Sequence, residues 1–277
     1  MGAATGYWRV PPSGPSTSPP PNAPSSSSPS TTRCSGGSRL SVLLDLNVGT
    51  DRTGVAMGKP ALELAEAVSR SPALGFAGIQ GYAGHLQHLV GWEYRRQASR
   101  AAMSRALEVK HELEKAGHEV PIFTGGGTGT YNIDDELEGV TDVQVGSYLF
   151  MDVNYRNVGG ESGSVFDDFR PSLLVLATAI SQPVKGRITI DAGYKAFATD
   201  HEPPVPRDIQ GVSYRWAGDE HGILQFQDPS REIKIGDKLL MIASHCDPTV
   251  NLYDNFYPFR AEEVEETWPI AARGASQ

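Results

Sequence analysis

The sequence contains few cysteines, no long apolar run and no cluster of basic residues. Its two cysteines, Cys34 and Cys246, are too few for a disulfide framework, so the sequence favours a reducing compartment. No apolar stretch reaches the roughly 18 residues that a membrane-spanning helix needs, and the first residues carry no apolar core of a secretory signal. We therefore predict a cytoplasmic protein that does not bind membranes.

Positive charge is scarce as well. The chain has 24 Lys and Arg residues against 33 Asp and Glu residues, which gives a formal net charge of -9. Because clustered Lys and Arg drive binding to phosphate backbones, this balance argues against a nucleic-acid partner. Hydrophobic residues make up 39% of the 277 residues, which is enough to build a globular core.

The composition divides the chain into three parts. Sixteen of the twenty residues 11–30 are Pro or Ser, and such a segment buries too little apolar surface to offset the entropy of ordering. We predict that residues 1–38 are a disordered tail, the alternative being a Pro-rich ligand for an aromatic-lined groove. Residues 39–158 alternate apolar runs with helical patterns, whereas residues 159–277 contain short strands without long helices.

The alternation in residues 39–158 predicts parallel strands joined by crossover helices. Helices are expected from Pro60 and over Glu93–Ala116, where apolar residues recur at helical spacing and Gly117 is placed to cap the end. The predicted strands are Leu40–Leu46, Phe76–Tyr82, Val120–Thr124 and Val143–Phe150. Four such β-α units form half of an eight-stranded barrel.

The short strands of residues 159–277 predict a second domain with an antiparallel sheet, because no long helices separate them. Its predicted strands are Leu173–Ser181, Arg187–Asp191, Val212–Trp216, Ile223–Phe226, Lys238–Ala243 and Val264–Ile270.

A glycine-rich segment, Thr124–Tyr131 (TGGGTGTY), follows the third predicted strand of the barrel. Its glycines let backbone amides converge on an anion without side-chain obstruction, and the hydroxyls of Thr128 and Thr130 add hydrogen-bond donors. The pattern favours a phosphate site over the alternative, a tight loop whose glycines adopt positive φ angles.

The segment Ala243–Asp254 (ASHCDPTVNLYD) follows a predicted apolar strand. If the strand continues through it, the two-residue period places His245 and Asp247 on one face and Cys246 on the other. An imidazole and a carboxylate on one face can bind a divalent metal, with water or substrate completing the coordination. Taken alone, a His-x-Asp pair is more often a surface pair or a turn.

Two further segments lie at the ends of predicted barrel strands, the rim on which barrel enzymes build their sites. Arg52 follows the first strand and could form a structural ion pair or act as a permanently charged donor. In Gly81–His88 (GYAGHLQH), Tyr82 and His88 share a face if the strand is straight. Histidines at a strand end are candidate bases, although either one alone is more typical of a loop.

In their order and amino-acid sequence, these four segments resemble those of D-threonine aldolases and D-serine dehydratases. These are pyridoxal-phosphate (PLP) enzymes with an alanine-racemase-like barrel and a C-terminal β domain. The resemblance runs from about Leu40 to Gly274. The further matches are Val145–Asp152 (VGSYLFMD), Ile190–Phe197 (IDAGYKAF), Asp219–Gly222 (DEHG) and Trp268–Gly274 (WPIAARG). The expected fold class is therefore α/β, with a partial (β/α) barrel of the alanine racemase type at 39–158 and an antiparallel, D-serine dehydratase-like β domain at 159–277.

The resemblance implies a role for each matching residue. Arg52 would face the pyridine nitrogen of PLP, and Tyr82 would lie near the cofactor. His88 is implied as the base at the substrate hydroxyl, with Asp219 close to the substrate. The residues implied around the cofactor phosphate are Gly127, Thr128, Gly129, Gly146, Ser147 and Tyr148.

His245 and Asp247 match the family's metal ligands. D-threonine aldolases resemble this chain in having His-x-Asp, whereas D-serine dehydratases tend to have His-x-Cys with zinc. The resemblance implies PLP and a divalent metal, manganese or zinc, as cofactors and the retro-aldol cleavage of D-3-hydroxy amino acids to glycine and an aldehyde. Dehydration of D-serine to pyruvate and ammonia remains the alternative. Alanine racemase is disfavoured because the His-x-Asp pair has no role there.

The family's Schiff-base lysine lies in a segment of the form P-H-x-K-x-H-K on the first barrel strand, and no such segment occurs in this sequence. Lys59 and Lys195 do not match its position. We therefore expect an N-terminally truncated member with impaired lyase activity, the alternative being a non-catalytic fragment that binds metal or a partner. A half barrel also leaves two strand edges open, so we expect poor independent stability or dependence on dimerisation, with a homodimer as the state of the folded chain.

Overall fold

The computed structural model describes residues 39–275, which form two compact units. The first unit comprises residues 39–84, 99–126 and 132–144, and the second comprises residues 85–98, 127–131 and 145–275. These units interleave along the chain, whereas the two predicted domains are contiguous. The predicted tail, residues 1–38, lies outside the described residues.

The first unit contains a parallel sheet of four strands in the order β1-β2-β3-β4, which confirms the predicted β/α half barrel. The strands are β1 (Leu40–Asp45), β2 (Leu74–Gly81), β3 (Ile122–Gly125) and β4 (Asp142–Val143). The helices that follow in the chain are α1 (Lys59–Arg70), α2 (Trp92–Lys115) and the short α3 (Tyr131–Asp134). The first part of α2, Trp92 to Ala98, belongs to the second unit.

The two longer helices form where the apolar spacing predicts them. α1 buries Ala61, Ala65 and Val68 on one face, and Pro60 stands in its first turn, where its missing amide hydrogen is not needed. α2 buries Ala102, Ala106, Val109 and Leu113 at four- and three-residue spacing. It ends two residues before Gly117, within one residue of the predicted end.

Gly78 allows β2 and β3 to approach each other. Its φ angle is 134°, and a Cβ atom at this position would stand 2.0 Å from the carbonyl oxygen of Ile122 on β3. Only glycine avoids that overlap, so this position fixes the register of two strands whose ends carry candidate site residues.

The fourth predicted strand, Val143–Phe150, is wrong over most of its length. β4 ends at Val143, and a 3₁₀ helix occupies Ser147–Leu149. The amides of Leu149 and Phe150 donate to the carbonyls of Gly146 and Ser147, so the backbone satisfies its hydrogen bonds within a local turn and not through a strand partner.

The second unit contains a six-stranded antiparallel sheet in the order β7-β10-β5-β6-β9-β8, as predicted for the β domain. Its strands are β5 (Leu174–Val184), β6 (Arg187–Ile190), β7 (Val205–Pro206), β8 (Val212–Trp216), β9 (Gly222–Phe226) and β10 (Lys238–Ile242). Ile188, Leu224, Leu239 and Met241 form the centre of its core with Phe197.

Short elements complete the second unit. They are the 3₁₀ helix Gly84–Leu86 at its start, α4 (Val153–Arg156), α5 (Cys246–Val250), β11 (Asn255–Phe256), β12 (Phe259–Arg260), β13 (Glu263–Val264) and β14 (Trp268–Pro269). The predicted strand Val264–Ile270 is therefore wrong. Its two ends belong to different ribbons, because β13 pairs with β12 while β14 pairs with β11.

Within residues 39–275, no helix combines the length and the apolar character that crossing a lipid bilayer would require.

Candidate active site

In the first unit, the loop after β1 brings Arg52 and Tyr82 together. The guanidinium carbon of Arg52 lies 5.2 Å from the centre of the Tyr82 ring, and the hydroxyl of Thr50 donates to the Tyr82 carbonyl over 3.1 Å. At the base of the loop, the buried Asp45 carboxylate accepts a 2.6 Å hydrogen bond from the Thr53 hydroxyl. These residues line a shallow pocket in which the Arg52 charge rests against an aromatic face.

Among the described residues, no carboxylate lies within ion-pair distance of Arg52. The structural ion pair, one of the two alternatives for this residue, is thus not formed in the first unit. The arginine keeps its donors available for a ligand, which is what facing a ring nitrogen would require.

In the second unit, the glycine-rich loop is held from both sides of Gly129. The Gly129 amide donates to Gln87 Oε1 over 2.9 Å, and its carbonyl accepts from Arg95 Nε over 2.7 Å. A Cβ atom on Gly129 would stand 2.1 Å from the Gln87 carbonyl oxygen, so the close approach of two backbones requires glycine here. Gln87 and Arg95 are both buried, and the loop is therefore fixed in shape.

Several amides of this loop already have partners inside the unit. Gly127 donates to the Thr130 hydroxyl over 3.2 Å, and the Tyr148 amide donates to Thr128 Oγ1 over 3.2 Å. The Thr128 oxygen thus acts as an acceptor, which leaves its hydroxyl hydrogen to donate to a ligand. The bond also links the loop to the Ser147–Leu149 turn, and so joins both segments that the resemblance places around the cofactor phosphate.

His88 lies beyond the end of β2, which stops at Gly81, so the expected sharing of a strand face with Tyr82 is wrong. The chain turns through the 3₁₀ helix at Gly84–Leu86, and His88 belongs to the second unit. There its ring packs against Tyr155 at 4.4 Å between centroids and faces His201 at 5.8 Å.

The environment of His88 favours its neutral form. Burial lowers the pKa of the imidazole, and the neighbouring His201 lowers it further. The Nδ1 atom is buried and has no hydrogen-bond partner among the described residues. A neutral imidazole with an unused nitrogen can accept a proton from a substrate.

The strand that precedes His245 does not continue through it. β10 ends at Ile242, and His245 is the N-cap residue of α5. The predicted strand alternation is therefore wrong, yet the turn produces the expected pair by another route: His245 Nε2 lies 3.8 Å from Asp247 Oδ2. Two ligand atoms that are each about 2.1 Å from one ion lie between about 3 and 4.2 Å apart, so this spacing fits a shared divalent metal.

Cys246 is buried beside this pair, and its thiol donates to Asp247 Oδ1 over 3.5 Å. Its side chain is fully buried, and burial raises the pKa of the thiol, with the negative charges of Asp152 and Asp247 adding to the shift. A neutral buried thiol is a poor metal ligand, because the thiolate is the form that binds.

Two further residues of this cluster have no counterpart among the predicted site residues. Asp200 Oδ2 accepts a 2.7 Å hydrogen bond from His245 Nδ1, and His201 Nε2 lies 3.6 Å from the same oxygen. Burial is the largest single influence and disfavours the Asp200 anion, but the hydrogen bond from His245, a backbone hydrogen bond and the charges of His245 and His201 together lower the pKa of the carboxyl below its ordinary value. Asp200 lies 45 positions before His245, and His201 follows it in the same irregular segment, so no periodicity points to either residue.

Asp219 lies in the turn between β8 and β9 with an exposed side chain. Lys195 Nζ stands 3.7 Å from its carboxylate and also bonds to Glu220 over 2.5 Å. The implied place of Asp219 near a substrate remains a prediction.

Comparison with known protein families gives two adjacent matches that together span most of the described chain. Residues 30–154 match the alanine racemase N-terminal domain, and residues 172–259 match the family described as "Putative serine dehydratase domain".

Characterised relatives agree with these matches. The chain is 35% identical to a D-threonine aldolase from Arthrobacter sp over 241 residues, and 33% identical to a 3-hydroxy-D-aspartate aldolase from Paracoccus denitrificans (strain Pd 1222) over 240 residues. These alignments cover 87% and 86% of this chain, but 63% and 62% of the relatives. The chain thus spans somewhat less than two thirds of the length of these relatives.

A solved structure supports the same assignment. The crystal structure of D-threonine aldolase from Filomicrobium marinum superposes with a TM-score of 0.81 at 35% identity, over 86% of this chain and 65% of that one. The chain thus carries the two domains of the D-threonine aldolase and D-serine dehydratase-like family of fold type III, and the predicted family resemblance and fold class are confirmed.

Proposed function

We propose that this polypeptide contributes to a PLP- and divalent-metal-dependent lyase that cleaves D-3-hydroxy amino acids by a retro-aldol reaction. The observation that favours an aldolase over a dehydratase is the His245–Asp247 pair, in which a carboxylate stands where dehydratases of this family tend to have a cysteine. The oxygen ligand favours a harder metal site than a thiolate would give. The names of the relatives, D-threonine aldolase and 3-hydroxy-D-aspartate aldolase, support the same substrate class.

The residues of each unit fit the cofactors that this chemistry needs. PLP would supply an electron sink for the electrons released at the substrate Cα atom. Arg52 offers hydrogen-bond donors without giving up its proton, and the Thr128 hydroxyl offers one to a phosphate. A divalent metal, manganese or zinc, would be held by His245 Nε2 and Asp247 and would supply Lewis acidity.

In this proposal His88 acts as the base. Its neutral imidazole takes the proton of the substrate β-hydroxyl, the Cα–Cβ bond breaks, and the β-carbon leaves as an aldehyde. The α-carbon then takes up one proton to become that of glycine, and His88 releases the proton that it accepted. For D-threonine the products would be glycine and acetaldehyde. Dehydration of D-serine would instead release pyruvate and ammonia.

An assay on D-threonine and D-serine separates the two reactions. With added PLP and Mn²⁺, we expect aldehyde from D-threonine to exceed pyruvate from D-serine. A His88→Asn variant should lose about 100-fold of the aldehyde-forming rate, since a positioned base contributes roughly that much. His111→Ala, an exposed substitution on α2, is the control. Pyruvate as the main product would contradict the aldolase assignment.

The lysines of this chain predict a low rate for the polypeptide on its own. All seven are described, and each is exposed except Lys110, which is half-buried and bonds to Glu114. The hydrogen bond and charge of Glu220 raise the pKa of Lys195, which holds that amine protonated. A lysine that forms a Schiff base needs a desolvated, readily deprotonated amine.

We therefore expect that borohydride reduction in the presence of PLP leaves every lysine unmodified when tryptic peptides are analysed by mass spectrometry. A phosphopyridoxyl group on one lysine at near-stoichiometric yield would contradict this expectation and identify the nucleophile.

The Thr128 hydroxyl provides a smaller, separate prediction. Thr128→Val removes the acceptor for the Tyr148 amide and a donor to the phosphate, so the affinity for PLP should fall about tenfold, equivalent to about 1.4 kcal/mol. Pyridoxal lacks the phosphate, and its affinity should change little. Titrations of both compounds measure this difference, with Thr178→Val as the matched control, since this half-buried threonine of β5 accepts a hydrogen bond from Lys238. Equal losses for PLP and pyridoxal would remove Thr128 from the phosphate site.

A further inference from the structure

A second imidazole, that of His201, stands beside the His245–Asp247 pair. The ligand atoms of Asp200, His201 and His245 all lie within 4.8 Å of one another, and the rings of His201 and His245 are 4.8 Å apart between centroids at 71°. The His201 side chain is 36% exposed, and its ring lies between those of His88 and His245. The cluster thus holds one more nitrogen donor than the His-x-Asp motif provides.

Asp200 decides which atom of His245 is free to bind a metal. Its carboxylate only accepts hydrogen bonds, so the 2.7 Å contact fixes the proton of His245 on Nδ1 and leaves the lone pair on Nε2. Metal-binding histidines commonly donate their other nitrogen to a carboxylate in this way. Asp200 is therefore an orienting residue. His245 Nε2 and the His201 imidazole are the remaining donors of this cluster, and Asp247 Oδ2, 3.8 Å from His245 Nε2, adds an oxygen from outside it.

We propose that His201 is a third protein ligand of the metal, which makes this centre richer in nitrogen and selective for zinc-like ions over manganese. The inference rests on the metal site of the proposed function and specifies its ion. Two imidazoles and one carboxylate form the ligand set of many catalytic zinc sites, which keep a further position open for water or substrate. Imidazole suits zinc, whereas carboxylate, carbonyl and water ligands suit manganese.

Metal affinity tests the selectivity directly. Equilibrium dialysis of the full chain against Zn²⁺ or Mn²⁺, followed by elemental analysis, gives both dissociation constants. We expect Zn²⁺ to bind more tightly than Mn²⁺, and His201→Ala to weaken Zn²⁺ binding by roughly 10- to 100-fold. The loss for Mn²⁺ should be smaller, and His111→Ala should change neither constant. A Zn²⁺ affinity that stays within about twofold of the wild type would overturn the proposal.

Replacing His201 with a cysteine tests whether residue 201 contacts the metal ion. In His201→Cys loaded with Co²⁺, a thiolate at this position should produce an intense near-ultraviolet charge-transfer band that the wild type lacks. Since thiolate absorption of this kind requires a sulfur–metal bond, a change in fold alone cannot create it. Absence of the band while Co²⁺ is still bound would show that residue 201 does not touch the metal.

The results separate this inference from the proposed function. If the wild type binds neither Zn²⁺ nor Mn²⁺, both fail. If His245→Ala abolishes binding but His201→Ala does not, only the role of His201 fails. His201→Gln, which keeps a polar side chain without an imidazole, should behave as His201→Ala does, and circular dichroism of the metal-free proteins checks that each variant is folded.

Discussion

Replacing Arg95 with Met should lower the free energy of unfolding by about 4 kcal/mol, because hydrogen bonds from a charged donor are worth about 1.5–3 kcal/mol each and are not additive. The side chain is completely buried and donates to four carbonyls, those of Leu89, Gly129, Val158 and Gly159, over 2.6–3.0 Å. Met fills a similar volume but leaves these acceptors without donors. Urea unfolding followed by tryptophan fluorescence measures the change, with Trp92 lying 5.7 Å from the guanidinium.

The neighbouring arginine provides the control for this prediction. Arg96 is partly exposed and lies 3.8 Å from Glu93 one helical turn away, a surface pair that contributes less than about 1 kcal/mol. Arg96→Met should therefore have little effect. Arg95→Lys keeps the charge but cannot spread its donors over four carbonyls, so it should recover only part of the loss. Equal stability of the Arg95→Met and Arg96→Met proteins would show that the buried network contributes nothing.

Loss of Arg95 should also change the conformation of the glycine-rich loop. Its Nε atom holds the Gly129 carbonyl while Gln87 holds the Gly129 amide, so the variant releases one side of the loop. In folded Arg95→Lys, the affinity for PLP should fall more than the affinity for pyridoxal, because the phosphate is the group that this loop would bind. Stability and phosphate recognition are therefore coupled through one buried side chain.

The regular elements could be predicted because their signals are local. The spacing of apolar residues gives α2 to within one residue at each end, and Val212–Trp216 is a strand with the predicted limits. The prediction fails where pairing with a segment distant in the sequence determines which residues form a strand. Val264–Ile270 has the composition of one strand, but its ends pair with different neighbours, and the acidic residues Glu265 and Glu266 lie between the two ribbons.

At the candidate site, too, the sequence pattern does not predict contacts between residues that are distant in the chain. His245 and Asp247 are close because α5 begins at Cys246, whereas a continuing strand was the physical reason for predicting the pair. Asp200 and His201 reach His245 only through the fold of the β domain, since no spacing connects residues so far apart in the chain. The family motifs identify individual residues, and the tertiary structure supplies the partners that orient them.

The start of α5, and with it the position of His245, depends on a buried carboxylate. Asp152 Oδ1 accepts a 2.8 Å hydrogen bond from the Tyr155 amide and caps α4, while its Oδ2 accepts a 2.8 Å bond from the Cys246 amide at the first residue of α5. Its side chain is completely buried. One carboxylate thus caps two helices, and both amides would otherwise be buried without an acceptor.

Asp152→Ala should lower the free energy of unfolding by about 3 kcal/mol, since it removes one helix cap and leaves two buried donors unpaired. Asp152→Asn should rescue only part of this, because the amide offers one acceptor oxygen and turns an NH₂ group towards the other N–H. In protein that remains folded, Zn²⁺ affinity should fall in the same order, as α5 no longer fixes His245. Asp167→Ala, at an exposed position, is the control for both measurements. Full recovery by Asn would show that a single capping bond suffices, and would separate the geometry of His245 from the charge of Asp152.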